Sequence, residues 1–298
     1  MHKPIIYSFF IFLFFACTSE VDLGQFQGEP KLTLYGLISP DKPICVRLSA
    51  TVSITEKTFP TIEDALIQLY ENDVWVGTLT YQSEWEYAID YHPQAGQTYT
   101  IVAEADGFPS IKAVETLPAN IEKINVSTMT YQYPTVTLSE YIVGTAEFDL
   151  KDDSEDTDNY YEIIPEDNNQ PYFSVSNEAV HVDTFREDPM PMESILFTNR
   201  VFVGKSIHFS IHVGFGGGYL GTNGMFHYYT RMRIRKVSPA YYDYKNTWYR
   251  HRHNKLYFDY DILGNLLDTS SPVKMFSNIE NGYGVFASYS EMTITSEQ

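Results

Sequence analysis

The residues best suited to chemistry are carboxylates: Asp149, Asp152, Asp153, Glu155, Asp156 and Asp158 crowd into one short run. Calcium is held by about six to eight oxygens, so Asp152, Asp153, Asp156 and Asp158 form a calcium candidate. The run lacks the central glycine and terminal glutamate of the helix-loop-helix calcium loop, and such charge runs also serve as solvated turns. His208 and His212 sit four residues apart on an alternating segment. At about 3.3 Å per residue that separates them by roughly 13 Å, beyond the reach of one ion. His251 and His253 flank Arg252 without a nearby third ligand, which suits a basic turn better than a metal. Gly204-Lys205-Ser206 repeats the end of a phosphate-binding loop, but Asn199 stands where the earlier glycine must be. Gly216, Gly218 and Gly221 satisfy G-x-G-x-x-G, yet the strand-like Tyr228 to Ile234 follows, where a pyrophosphate needs a helix N-terminus. Gly214 to Gly224 therefore reads as a mobile connection between strands, offering Gly216, Tyr219, Leu220 and Phe226 as candidate ligand contacts. No G-x-S-x-G, no H-E-x-x-H and no Cys-His pairing occurs. No catalytic residue, resident metal or cofactor is assigned.

Cys17 carries the sharpest signal. Met1 to Lys3 give a short positive start, and Pro4 to Ala16 form an apolar run broken only by Ser8. A spanning helix needs about 20 apolar residues; this run stops well short, so residues 1–16 read as a signal peptide. Phe14-Phe15-Ala16-Cys17 resembles a bacterial lipobox, with Phe14 where Leu, Val or Ile is usual. That resemblance implies cleavage after Ala16, diacylglycerol on the Cys17 thiol, and a fatty acyl chain such as palmitate on the new N-terminus. Each buried methylene adds about 0.8 kcal/mol, so several acyl chains make attachment long-lived. Residues 17–30 are polar and aperiodic, a tether between the lipid and a body that begins near Lys31.

The elements that must position any site are strands. Lys31 to Ile38 and Ile44 to Ser49 alternate around the turn residues Ser39-Pro40-Asp41-Lys42-Pro43. Ala65 to Tyr70 and Val74 to Leu79 flank Glu71-Asn72-Asp73 as a hairpin, and Gly96 to Ala103 adds another strand. This spacing predicts an Ig-like or prealbumin-like β-sandwich over residues 31–118. Cys45 falls on the more polar face of its strand, a packing thiol. Strands continue at Ile121 to Met129, Thr135 to Leu138, Tyr141 to Leu150, Tyr160 to Ile164, Ser206 to Val213 and Tyr228 to Ile234. Ser238 as N-cap, Pro239 in the first turn and Tyr241, Tyr244, Trp248 and Tyr249 at helical spacing predict one short helix near 239–250. Residues 119–298 thus form a second β-rich domain, and the fold class is mainly β.

Several stretches in order resemble the DUF4249 family of Bacteroidetes lipoproteins: Leu32 to Ser49, Ala65 to Tyr70, Gly96 to Ala103 with Gly107-Phe108, Phe148-Asp149 through Tyr161, Leu196-Phe197 through Ser206, Tyr228 to Val237 with Tyr241-Tyr242, and Asn278 to Phe286. The resemblance implies a cell-envelope lipoprotein, often associated with an outer-membrane TonB-dependent receptor, and brings no catalytic residue.

Charge bounds the partners. With 39 Asp+Glu against 20 Lys+Arg, the net charge of -19 opposes nucleic acid, whose phosphates need clustered cations. Two cysteines build no disulfide framework. The expectation is a non-enzymatic lipoprotein held at the outer membrane through Cys17, on its periplasmic or cell-surface side, as an accessory binding component of a TonB-dependent uptake system. The alternatives are a structural or assembly lipoprotein without a small ligand, and a calcium-dependent or hydrolytic enzyme using the acid run.

Overall fold

A computed structural model describes residues 28–53, 56–119, 124–132, 141–152, 159–166, 172–175, 194–200, 202–216, 231–260 and 273–295. Alternation builds β1 (Leu32–Ile38) and β2 (Ile44–Ala50), each burying every second residue. β3 (Leu66–Glu71) and β4 (Val74–Ser83) form the expected hairpin, with Asn72 (φ 47°) and Asp73 (φ 64°) in its turn. Asn and Asp tolerate the left-handed region, and a turn of this hand matches the strand twist. β5 (Glu86–Ile89), β6 (Thr98–Glu104) and β7 (Ile111–Thr116) follow.

The rest of the chain supplies β8 (Ile124–Val126), β9 (Thr130–Gln132), β10 (Tyr141–Asp152), β11 (Tyr160–Glu166), β12 (Tyr172–Val175), β13 (Ile195–Thr198), β14 (Ser206–Gly216), β15 (Arg231–Val237), α1 (Pro239–Tyr260) and β16 (Tyr283–Thr295). Eleven strands hydrogen-bond in the order β13-β11-β15-β16-β1-β2-β5-β4-β3-β6-β7. A second sheet runs β12-β14-β10-β8, with β9 also on β10. The mainly β expectation holds, with one helix among the described residues.

The long ladder curls at β4, which pairs with both β3 and β5. Its two arms face each other across a core of Leu34, Val46, Leu48, Leu69, Tyr87, Tyr99 and Ile101. A second core, with Phe148, Tyr161, Phe197, Phe209 and Ile234, lies between the smaller sheet and the β13-β11-β15 end of the ladder. A third cluster, Leu196, Val237, Tyr241, Tyr242, Val285 and Tyr289, seats α1 on the opposite face.

β16 joins the bodies. Tyr283 to Ser288 pair in parallel with β1, and Tyr289 to Thr295 pair antiparallel with β15. Phe286, Met292 and Ile294 share one face of the strand, and as β16 passes from β1 to β15 that face turns from the first core, which Phe286 enters, to the second, on which Met292 and Ile294 pack. Between them Ser288 Oγ donates to Glu115 Oε1 at 2.6 Å, and Ser290 Oγ to the Pro118 carbonyl at 3.4 Å. Gly284 (φ +110°) makes the pairing possible: a Cβ there would stand 2.0 Å from the Leu34 carbonyl oxygen. Ile279 and Phe286, which the sequence places in the second unit, thereby complete the first core.

Two further corrections concern boundaries. α1 starts as expected, with the Tyr241 N–H donating to Ser238 Oγ at 3.2 Å, but runs to Tyr260 instead of ending near 250. No glycine or proline interrupts residues 251–260, so His251 and His253 lie in the helix and not in a turn. β14 extends to Gly216, with Val143 opposite Gly214 and Tyr141 opposite Gly216, so residues 214–216 are strand and not connection.

Candidate functional site

The structure disperses the acid run. Asp149 is exposed, its Oδ1 2.9 Å from His208 Nδ1, whereas Asp152 is 1 % exposed. Asp152 Oδ2 accepts bonds from the Tyr161 hydroxyl at 2.8 Å, Asn199 Nδ2 at 2.7 Å and Asn159 Nδ2 at 3.3 Å. Burial, then Asp152, pushes the Tyr161 hydroxyl above its ordinary range. Asp152 thus ties the end of β10 to the start of β11 and the end of β13. Asp153, Asp156 and Asp158 lie outside the described residues, as do Ala16, Cys17, Tyr219, Leu220 and Phe226. Among the described residues no three His, Cys, Asp or Glu side chains stand where they could hold a metal ion, and no helix is long and apolar enough to cross a membrane. Gly204-Lys205-Ser206 forms a turn into β14, the Lys205 N–H donating to the Phe202 carbonyl at 2.8 Å.

A second buried carboxylate went unread in the sequence. Glu162 is fully buried; its Oε1 accepts from Ser194 Oγ at 2.5 Å, and its Oε2 from the Tyr241 hydroxyl at 2.5 Å and Arg235 Nη1 at 3.3 Å. Arg235 Nε also donates to Glu291 Oε2 at 2.6 Å, and its guanidinium lies 4.2 Å from the Tyr289 ring centroid. Both oxygens are committed and Glu162 itself is closed to solvent, so its chemistry is that of a clamp holding α1 to the sheet.

The feature open to a ligand is elsewhere, on the outward face of β1 and β2. Tyr35 on β1 stands opposite Arg47 on β2, and Arg47 stands opposite Glu86 on β5. Arg47 Nη2 and Nε donate to Glu86 Oε1 at 2.7 and 3.1 Å, and that bond leads the factors that keep the guanidinium pKa raised. An exposed pair like this adds about 0–1 kcal/mol of stability; what it provides is orientation. Tyr244 from α1 supports Tyr35, ring centroids 6.0 Å apart and planes tilted by 58°. Burial, then Tyr244, pushes the Tyr35 hydroxyl up. Ser49 Oγ donates to the Pro60 carbonyl at 2.9 Å, fixing the loop that presents Phe59. Trp85 closes the far side. Tyr35, Arg47, Ser49, Phe59, Trp85 and Tyr244 line a cleft of about 300 Å³, with Gly284 also bordering it.

Trp85 is held there against its own preference. Glu84 (φ 46°) and Trp85 (φ 72°) occupy the turn between β4 and β5, a left-handed conformation that suits glycine or asparagine. The Trp85 carbonyl accepts the Leu48 N–H at 2.9 Å, which locks the turn onto β2. Such strain costs of order 1–2 kcal/mol and concentrates at ligand clamps and switches. Trp85 did not stand out in the sequence, because Ser83 to Glu86 carries no glycine, proline or asparagine to announce a turn. The available signal was a large aromatic between two acids in an otherwise exposed stretch.

Among curated proteins, none matches the chain. A solved chain of Escherichia coli alpha-2-macroglobulin activated by porcine elastase is similar over 91 % of this chain and 22 % of that one, at 10 % identity and a TM-score of 0.23. That likeness is too distant to carry a structural argument. A family model described as a domain of unknown function, DUF4249, matches residues 18–295. With nearly the whole body covered, the chain belongs to the DUF4249 family.

Proposed function

We propose that this chain is a non-enzymatic, lipid-anchored envelope protein that binds a ligand in its aromatic cleft for an outer-membrane TonB-dependent uptake system. The observation that carries the binding role is Trp85, an aromatic wall kept in a strained turn beside Tyr35, Phe59 and Arg47. The anchoring role is supported by the apolar run ending at Ala16-Cys17 and the polar stretch 17–30 that follows. The receptor association is supported by the family likeness. The body is strongly acidic and is repelled by anionic headgroups, so a tether that holds it off the bilayer suits it.

The test has two readings. Cys17→Ser is expected to abolish labelled palmitate incorporation and membrane sedimentation. Wild-type protein extracted in mild detergent is expected to co-purify a β-barrel receptor. A structural or assembly role is the second reading, favoured by Val74 and Trp75, which stand 68 % and 57 % exposed beside the β3–β4 turn. Co-purification that Trp75→Ala abolishes, with no ligand for the cleft, selects that second reading.

A further inference from the structure

We infer that the cleft takes a neutral saccharide, one or two pyranose rings of a glycan. This rests on the binding role proposed above and names its ligand class. A pyranose ring has two kinds of surface: faces of C–H groups and an edge of hydroxyls that both donate and accept. The cleft offers a match for each. Tyr35, Phe59, Trp85 and Tyr244 supply aromatic rings, whose faces carry a negative potential that attracts C–H groups. Arg47 supplies donors at the rim. Both of its bonds to Glu86 land on Oε1, which holds the guanidinium in place at the rim. Ser49 spends its proton on the Pro60 carbonyl and so presents its oxygen as an acceptor.

Charge and size narrow the class. Arg47 and Glu86 cancel, so the cleft has no net charge to attract an ion, and a body of net charge -19 disfavours phosphate, sulfate and uronate groups. About 300 Å³ is at the small end of ligand sites and suits a ring or two. A peptide read as an added strand needs an open sheet edge, but β1, β2 and β5 are each paired on both sides. The walls stand on paired strands, on α1, on a locked turn and on a loop tied down through Ser49, so little ordering is left for the ligand to drive.

The experiment uses full-length protein in a detergent without a sugar headgroup. Maltotriose, cellotriose, xylotriose, mannotriose and chitotriose are titrated at millimolar concentration, followed by saturation-transfer NMR and tryptophan fluorescence. Octaproline and trigalacturonate serve as the peptide and anionic probes. At least one neutral saccharide is expected to bind, with transfer onto its C–H protons. Trp85→Gly, which suits the left-handed turn, and Tyr35→Ala are each expected to weaken it by about tenfold. Trp75→Ala, away from the cleft, is expected to change nothing. The inference is overturned if no neutral saccharide binds, or if binding survives both cleft variants at unchanged melting temperature. Octaproline or trigalacturonate binding that depends on Trp85, in place of a neutral sugar, also overturns it while leaving the binding role intact. Failure of the anchoring role is read separately, from palmitate labelling and receptor co-purification.

Discussion

Asp152 shows how little a carboxylate's neighbours in sequence say about its work. Three donors converge on its Oδ2 from Asn159, Tyr161 and Asn199, and removing it takes a shared acceptor from all of them in a buried site. Asp152→Ala is expected to destabilise the fold by about 3 kcal/mol, measured by denaturant titration. A loss below about 0.5 kcal/mol, the level of an ordinary surface change, would show that the network contributes nothing. At Trp85 the expectation runs the other way. Glycine relieves the positive φ but adds chain entropy and forfeits packing, so Trp85→Gly is expected to leave stability within about 1 kcal/mol of wild type in the same titration. Neither role was legible from residue types. Asp152 looks like its acidic neighbours until Tyr161 and Asn199 arrive from other strands, and the Trp85 turn has no turn-forming residue to reveal it.

The elements were more legible than the site. A period of two marks β1 and β2 because each buries one face, and Ser238-Pro239 marks the start of α1 because capping is local chemistry. The end of α1 was not legible, since no residue before Tyr260 forces a stop. The pairing of β1 with β16 was hidden because no local pattern encodes a partner at the far side of the chain. A pH dependence sits where β16 meets β7. Glu115, buried beside Ser288, has its carboxyl pushed up to about 7 from 4.5, first by burial and against the hydrogen bonds from Ser238 and Ser288. The folded form therefore holds a proton that the unfolded chain has already released. The stability is fully present below about pH 4.5 and is lost as pH rises through about 7, by up to about 3 kcal/mol. Glu115→Gln keeps the acceptor for Ser288 and removes the charge. It is expected to raise the melting temperature at pH 8 and to leave it unchanged at pH 4. An equal rise at both values would contradict the titration.

Across the whole molecule, the two cores share β16, with Phe286 in one and Met292 and Ile294 on the other. A single cooperative unfolding transition is therefore expected by calorimetry. Residues 31–118 made alone would lack Ile279, Phe286 and the parallel partner of β1. That fragment is expected to show no cooperative transition; a sharp one would mean that β16 is dispensable to the first body. The curl of the ladder at β4 has the same dependence, since β7 meets β16 through Glu115 and Ser288, and meets the segment just before β16 through an isolated bridge between Lys112 and Glu280.

The shared strand also sets an order of events in time. A polypeptide emerging amino-terminus first, from a ribosome or through a translocation pore, displays β1 long before β16 exists to cover its flank. Through that interval the half-built ladder offers an unsatisfied rim of amides and carbonyls to any other extended chain nearby. Maturation is then limited by arrival of the last segment, and a holding chaperone that shields the early strands should raise the yield of the finished protein more than one that accelerates folding.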